Sequence, residues 1–305
     1  MRVVRFISPA TGRSALGVDD GEVITELSGL TGVADLLRLP LAEVRERCAA
    51  ADGPRHETAK ARLLPPVDGR MEVWAAGVTY ERSRDARKVE SEKAADVYEL
   101  VYDAERPELF FKSAAWRVTG DGESVAIRAD SAVDVPEPEL GLVLNRHAEI
   151  AGYTVVNDMS SRTIEGENPL YLPQAKVYLG GCGVGPAIRP AWEVADPYAL
   201  AIELVIRRDG EVAWSGTAST AQLHRRLDDL VAYLFRADVF PDGVVLATGT
   251  CLVPDLPFTL RPGDEIAITI AEVGTLTSSV VEGKENLAWL AAAADDPARR
   301  APGLP

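Results

Sequence analysis

Two apolar runs lie close together in the middle of this chain, and both carry acids where a buried strand has no use for them. The first is VPEPELGLVLN, residues 135 to 145; the second is IAGYTVVNDMSSR, residues 150 to 162. Each reads as a β-strand, and the polar link NRHAE between them is short enough for a hairpin. Side chains two apart on a strand share a face, so Glu137 and Glu139 project side by side. Asp158 joins them if the second strand pairs with the first. Like charges buried together are costly unless something compensates them. Two readings fit. One is a solvated edge strand, which Pro136 and Pro138 would suit. The other is a site for a hard divalent cation, which takes oxygen ligands.

Composition narrows the partners. The net charge of −15 over 305 residues argues against nucleic acid and anionic membranes. It leaves room for a small anionic substrate, because a bound cation and local arginines reverse the field inside a cleft. The start, MRVVRFISPATG, reads as a strand and not as a signal peptide. No apolar run approaches the roughly 18 residues that a bilayer span needs. Cys48, Cys182 and Cys251 are far apart and odd in number, with neither zinc spacing nor a disulfide framework. A reducing, cytoplasmic setting is therefore expected. His56, His147 and His224 share no motif.

Along the chain, residues 1–65 read as a small N-terminal α/β domain. VVRFIS and GVDDGEVITEL are its strands, and VADLLRLPLAEVRERCAA gives one or two short helices. Residues 66–290 form a β-rich α+β body. SRDARKVESEKAADVYELVYD is expected as a helix with Val97, Tyr98, Val101 and Tyr102 on one face, and PELFFK as a short strand. IELVIRRDGEVAWS has the Asp-Gly turn of a hairpin. TAQLHRRLDDLVAYLFRAD is expected as one amphipathic helix, and residues 291–305 as a frayed tail.

Five strings in order, PEPELGLVLN, GYTVVNDMSSR, AKVYLGGCGVGPAI, VLATGT and LRPGDEIAITIAEVGTL, resemble the fumarylacetoacetate hydrolase superfamily over about residues 70 to 285. The resemblance implies a mixed β-roll core and a divalent metal, Mg²⁺ with Mn²⁺ or Ca²⁺ as alternatives. It implies Glu137, Glu139 and Asp158 as metal ligands, a 2-oxo acid substrate, and a homo-oligomer, commonly a dimer. It places Lys176 facing the substrate and Thr250 near the substrate carboxylate.

One departure is informative. Hydrolases of this superfamily carry a histidine and a glutamate in a short lid, where this chain has TYERSRDA, with Ser83 and Ala86 at those positions. A hydroxyl without a base does not activate water near neutral pH. VTYERSRDAR, YDAERPELFFK and SSRTIEGENPLYLPQAKVY are instead similar to the 2-keto-3-deoxy-D-arabinonate dehydratases of the superfamily. Those enzymes remove water from a sugar acid and yield 2,5-dioxopentanoate. That likeness suggests Lys176 and Glu108 as base and acid, in either assignment. It puts Ser83 near the substrate, and Arg82, Arg84 and Arg87 either meet the sugar acid there or pair with the acids of a solvated helix. An acylpyruvate hydrolase, an oxaloacetate decarboxylase and a non-catalytic metal-binding protein are the alternatives.

Overall fold

The computed structural model describes residues 1–80 and 100–300. The N-terminal strands are β1 (Arg2–Ile7), β2 (Ser14–Asp19), β3 (Val23–Glu26), β4 (Arg55–Glu57) and β5 (Arg62–Leu64). Next come β6 (Glu72–Gly77), β7 (Glu108–Ala114), β8 (Val125–Ile127), β9 (Asp134–Val135), β10 (Pro138–Leu144), β11 (Ile150–Asp158) and β12 (Ser160–Ser161). The last are β13 (Cys182–Pro190), β14 (Ala201–Arg208), β15 (Glu211–Ser219), β16 (Val244–Ala247), β17 (Glu265–Ile270) and β18 (Gly274–Glu282). The largest sheet has 11 strands, in the order β4-β3-β2-β1-β13-β11-β10-β16-β6-β7 with β5 against β1. A five-stranded sheet runs β15-β14-β17-β18-β8, and β9 and β12 form a small pair. The β16–β6 and β18–β8 pairs are parallel, so the architecture is mixed as well as strand-dominated.

The central strands are buried on both faces because they serve two cores. Leu140, Leu142 and Leu144 of β10 point to one side and pack with Leu204, Ile266 and Ile268 of the five-stranded sheet. Val143 points to the other side, with Val156, Val245 and the helix residues Val33, Leu36 and Leu37. A strand covered on both faces cannot alternate apolar and polar. The edge-strand reading of residues 135–145 is thereby overturned, since β10 lies between β11 and β16 and is buried along its length.

The expected hairpin forms between β10 and β11, with Glu139 opposite Val156 and Pro138 opposite Asn157. Its link is organised by the Asn145 side chain, which accepts hydrogen bonds from the backbone amides of His147 and Glu149. The Asp-Gly hairpin also forms. Asp209 and Gly210 both take positive φ, 53° and 82°, which a tight turn between right-twisted strands requires.

Residues 1–65 hold the predicted strands and two short helices, Val33–Leu37 and Leu41–Ala49, separated at Pro40. Their sheet continues into the body, because β1 pairs with β13 (Val3 opposite Ile188). Asp242 adds a clamp at this junction. It accepts from Arg38 Nε at 3.0 Å and from Arg70 N, Nε and Nη2 at 3.0–3.1 Å.

Two expectations are corrected. Residues 220–238 do not form one helix: a 3₁₀ turn at Thr220–Gln222 is followed by a helix only at Leu227–Leu234. Leu223 instead bridges Tyr80, and the His224 amide donates to the Thr79 carbonyl at 2.9 Å, so tertiary pairing outweighs helix propensity there. Nor is the tail frayed up to residue 300. It forms a helix at Trp289–Asp295, and buried Arg300 grips Glu123 at 2.6 and 2.7 Å and the Val118 carbonyl at 2.6 Å. The helix expected before PELFFK lies outside the described residues except for its end. There residues 100–103 are helical, and Val101 and Tyr102 pack on Val78. Among the described residues no helix is long and apolar enough to cross a membrane.

Removing one partner of a buried ion pair strands the other charge. Arg300→Ala is therefore expected to lower unfolding stability by about 3–5 kcal/mol in urea titrations. Asp242 tests the junction through pH. The guanidinium groups of Arg70 and then Arg38 hold its carboxyl well below the usual carboxylate range. Its contribution is thus present above pH ~4 and is lost as the pH falls below that value. The stability gap between wild type and Asp242→Asn should be constant near neutrality and shrink below pH ~4. A gap that grows on acidification would contradict the clamp.

Candidate active site

The site forms where several strands end together. Glu137 precedes β10, Glu139 lies within it, and Asp158 closes β11. The Asp158 amide donates to the Glu137 carbonyl at 2.9 Å, which fixes the two acids across the hairpin. Carboxylate oxygens of Glu137, Glu139 and Asp158 come within 4.8 Å of one another, and all three residues are buried. The sequence-predicted triad is therefore brought together, by antiparallel register that places residue 139 against residue 156.

Each acid is met by a partner. Glu137 receives Arg162 Nη2 at 2.8 Å and Lys176 Nζ at 2.7 Å. Asp158 receives Lys176 Nζ at 3.0 Å on Oδ2 and Lys112 Nζ at 2.5 Å on Oδ1. Glu139 accepts from the Gly249 amide at 2.7 Å. Gly249 takes φ +92°, and a Cβ there would strike the Thr79 hydroxyl, so this amide can be presented only by glycine. Burial, followed by the charges of Asp158 and Glu137, pushes the Glu139 carboxyl well above the usual carboxylate range. A compact set of hard oxygen donors under mutual repulsion fits a divalent cation such as Mg²⁺.

Lys176 ends the short helix Leu172–Lys176 and is buried. Besides the two acids, it donates to Ser160 Oγ at 2.5 Å, and its ammonium lies 5.7 Å from the centre of the Phe110 ring. Phe110 and Glu108 share one face of β7. Glu108 is half-buried and pairs with Gly77 of β6; a Cβ on Gly77 would collide with its carboxylate. Thr250 is buried beside the ligand strand, and its hydroxyl donates to the Pro138 and Leu252 carbonyls at 3.0 and 3.2 Å. Arg82 and Ser83 lie outside the described residues, as do Ala86, Arg84 and Arg87.

Sequence reasoning missed Lys112, Ser160 and Arg162. Lys112 had a signal: it ends the PELFFK run, at i+4 from Glu108 and i+2 from Phe110. Arg162 had only proximity to Asp158. Its engagement with Glu137 and Glu165 (3.0 Å) depends on where the helix Arg162–Glu167 starts.

A buried carboxylate cluster on the end of a mixed sheet, with lysines in contact, defines a metal-assisted small-molecule site. The chain matches the fumarylacetoacetate (FAA) hydrolase C-terminal family over residues 72–281, and it belongs to that family. It is 52% identical over 215 residues to a probable 2-keto-3-deoxyxylonate dehydratase of Haloferax volcanii, covering 70% of this chain and 73% of the relative. It is 43% identical over 222 residues to the 2-dehydro-3-deoxy-D-arabinonate dehydratase of Saccharolobus solfataricus, covering 72% and 74%. Among solved structures it is similar to a 2-keto-3-deoxy-D-arabinonate dehydratase complexed with magnesium and 2,5-dioxopentanoate. That likeness has a TM-score of 0.80 and 34% identity, over 93% of this chain and 99% of the other.

Glu139→Gln keeps the shape of the site but removes one charge. Calorimetric titration of Mg²⁺ should show affinity falling about tenfold or more while the fold is retained. Unchanged affinity would remove Glu139 from the ligand set.

Proposed function

We propose that this protein is a magnesium-dependent dehydratase of a 2-keto-3-deoxy sugar acid, such as 2-keto-3-deoxy-D-arabinonate, with 2,5-dioxopentanoate as product. The observation that carries the reading is the contact of Lys176 with two members of the buried acid triad. The identities to dehydratases of this substrate class support it.

Glu137, Glu139 and Asp158 would hold the cation, which stabilises negative charge developing on the 2-oxo group of a bound substrate. In this reading Lys176 Nζ takes one proton from C3. Glu108 delivers a proton to the C4 hydroxyl, which departs as water and leaves a C3=C4 double bond conjugated to the ketone. A proton then moves from C5 to C3, and the resulting C5 enol is protonated at C4 to give the aldehyde. The sequence offers no water-activating histidine, and this route needs none. Thr250 holds the Gly249 loop against the ligand strand, and we place the substrate carboxylate near it. Arg82 and Ser83 belong to the same proposal on sequence grounds. We also read the protein as a cytoplasmic homo-oligomer. The buried free thiols of Cys48, Cys182 and Cys251 suit a reducing compartment, and sedimentation tests the assembly.

Turnover of 2-keto-3-deoxy-D-arabinonate with Mg²⁺ in D₂O should give 2,5-dioxopentanoate carrying solvent deuterium at C3 and C4, and EDTA should stop it. Brisk release of pyruvate from an acylpyruvate, with the sugar acid untouched, would replace the dehydratase reading by a hydrolase one. The two proton roles separate in variants. Glu108→Gln should still exchange the C3 hydrogen of the substrate while dehydration falls about 10²- to 10⁴-fold. Lys176→Met should lose both, and the opposite pattern would exchange the roles. Gly77→Ala adds a probe that leaves both residues in place. Its new methyl displaces only the flexible end of Glu108, so turnover should drop about tenfold or more with melting temperature nearly unchanged.

A further inference from the structure

Two lysines are buried at the acid cluster, and they are bonded in different ways. We infer that Lys112 is a positioning residue: it fixes Asp158 and the main chain of Lys176 relative to each other, and carries no proton in the reaction. Strand β7 sets this up with a bulge. Trp74 pairs with Phe111 and Val73 with Ser113, which leaves Lys112 outside the ladder. Bulges re-aim a side chain in this way beside functional sites. The Lys112 side chain is fully buried, and an ammonium has three donors. It donates to the Met159 carbonyl at 2.9 Å and to the Lys176 carbonyl at 2.5 Å, and it forms an ion pair with Asp158 Oδ1 at 2.5 Å. Its contacts are thus with one ligand side chain and two stretches of main chain.

The identity of those acceptors decides the role. Two are main-chain carbonyls, one directly after β11 and one at the end of the helix Leu172–Lys176, where helix carbonyls lack intrahelical partners. Lys112 therefore ties a strand end to a helix end from a third element. It meets Oδ1, and Oδ2 is the Asp158 oxygen that accepts from Lys176. The ammonium of Lys176, by contrast, meets only side chains, Glu137, Asp158 and Ser160, and those bonds can be exchanged without moving the backbone.

The inference rests on the metal-site reading of the triad, so the experiment keeps the two apart. Mg²⁺ is titrated calorimetrically into metal-free wild type, Glu139→Gln, Lys112→Met, Lys112→Arg and Lys176→Met, with native folding of each verified by near-ultraviolet circular dichroism. Lys112→Met should bind Mg²⁺ about tenfold or more weaker, as for the loss of a partner that orients a ligand. Lys176→Met should bind with wild-type affinity or tighter, because a competing cation has left two of the ligands. Lys112→Arg keeps the charge but cannot place one compact ammonium among three acceptors, so it should also weaken binding; this variant decides the matter if Lys112→Met does not fold. A folded Lys112 variant that binds within about threefold of wild type overturns the positioning role. So does an equal loss in Lys176→Met, which would make the effect one of charge alone. A wild type that binds no Mg²⁺, or that Glu139→Gln matches, removes the metal site and the positioning role with it.

Discussion

Three carboxylates within 4.8 Å of one another repel, and burial takes away the water that would screen them. Lys176, Lys112 and Arg162 meet that demand with charge, and the Gly249 amide meets it with a dipole. Each comes from a different part of the chain: the end of one helix, the bulge of β7, the start of another helix and the turn after β16. Satisfying the acids therefore requires four elements to converge on the end of one hairpin. A buried ionic network of this kind is weak evidence for stability, since its desolvation cost is large. It is better understood as fixing geometry.

That hairpin is held rigidly because it is buried on both faces. The leucines of β10 pack toward the five-stranded sheet, and Val143 packs toward the N-terminal helices. The acids stand where this packing ends, so their backbone is set by the cores while their heads belong to the site. Such an arrangement, functional groups on strands and supporting contacts behind them, gives a precision that loops rarely reach. The N-terminal strands take part as well. They extend the same sheet, and Asp242 joins their helices to the strand leading to Gly249.

The fold by itself leaves the chemistry open, because one scaffold serves several reactions. What narrows it in the reading proposed above is the pair of side chains assigned to proton transfer. Lys176 is in contact with the acids and with Phe110, and Glu108 stands two residues along the same strand face. In the proposed roles of base and acid, these two residues suit an elimination. Loss of water from carbon needs two proton transfers and no attacking water, which accords with Ser83 in the place of a histidine.

The sequence alone determined what was local. Period-two patterning identified the hairpin, the three acids and the shared face on which Glu137 and Glu139 stand; Asp-Gly marked the turn at 209–210; apolar spacing marked helix in residues 33–50. These rest on backbone sterics and on neighbours two or four residues away, which any reader of the chain has in hand. Tertiary structure decided the rest. It chose a doubly covered central strand over a solvated edge, broke the expected helix at Leu223 to pair with Tyr80, and anchored the C-terminal segment through Arg300 on Glu123. It also made Lys112 and Arg162 part of the site. Their ion partners are 46 and 25 residues away, at Asp158 and Glu137. Electrostatic compensation of a buried acid can be drawn from any element that folds next to it, and a linear pattern does not record which one will.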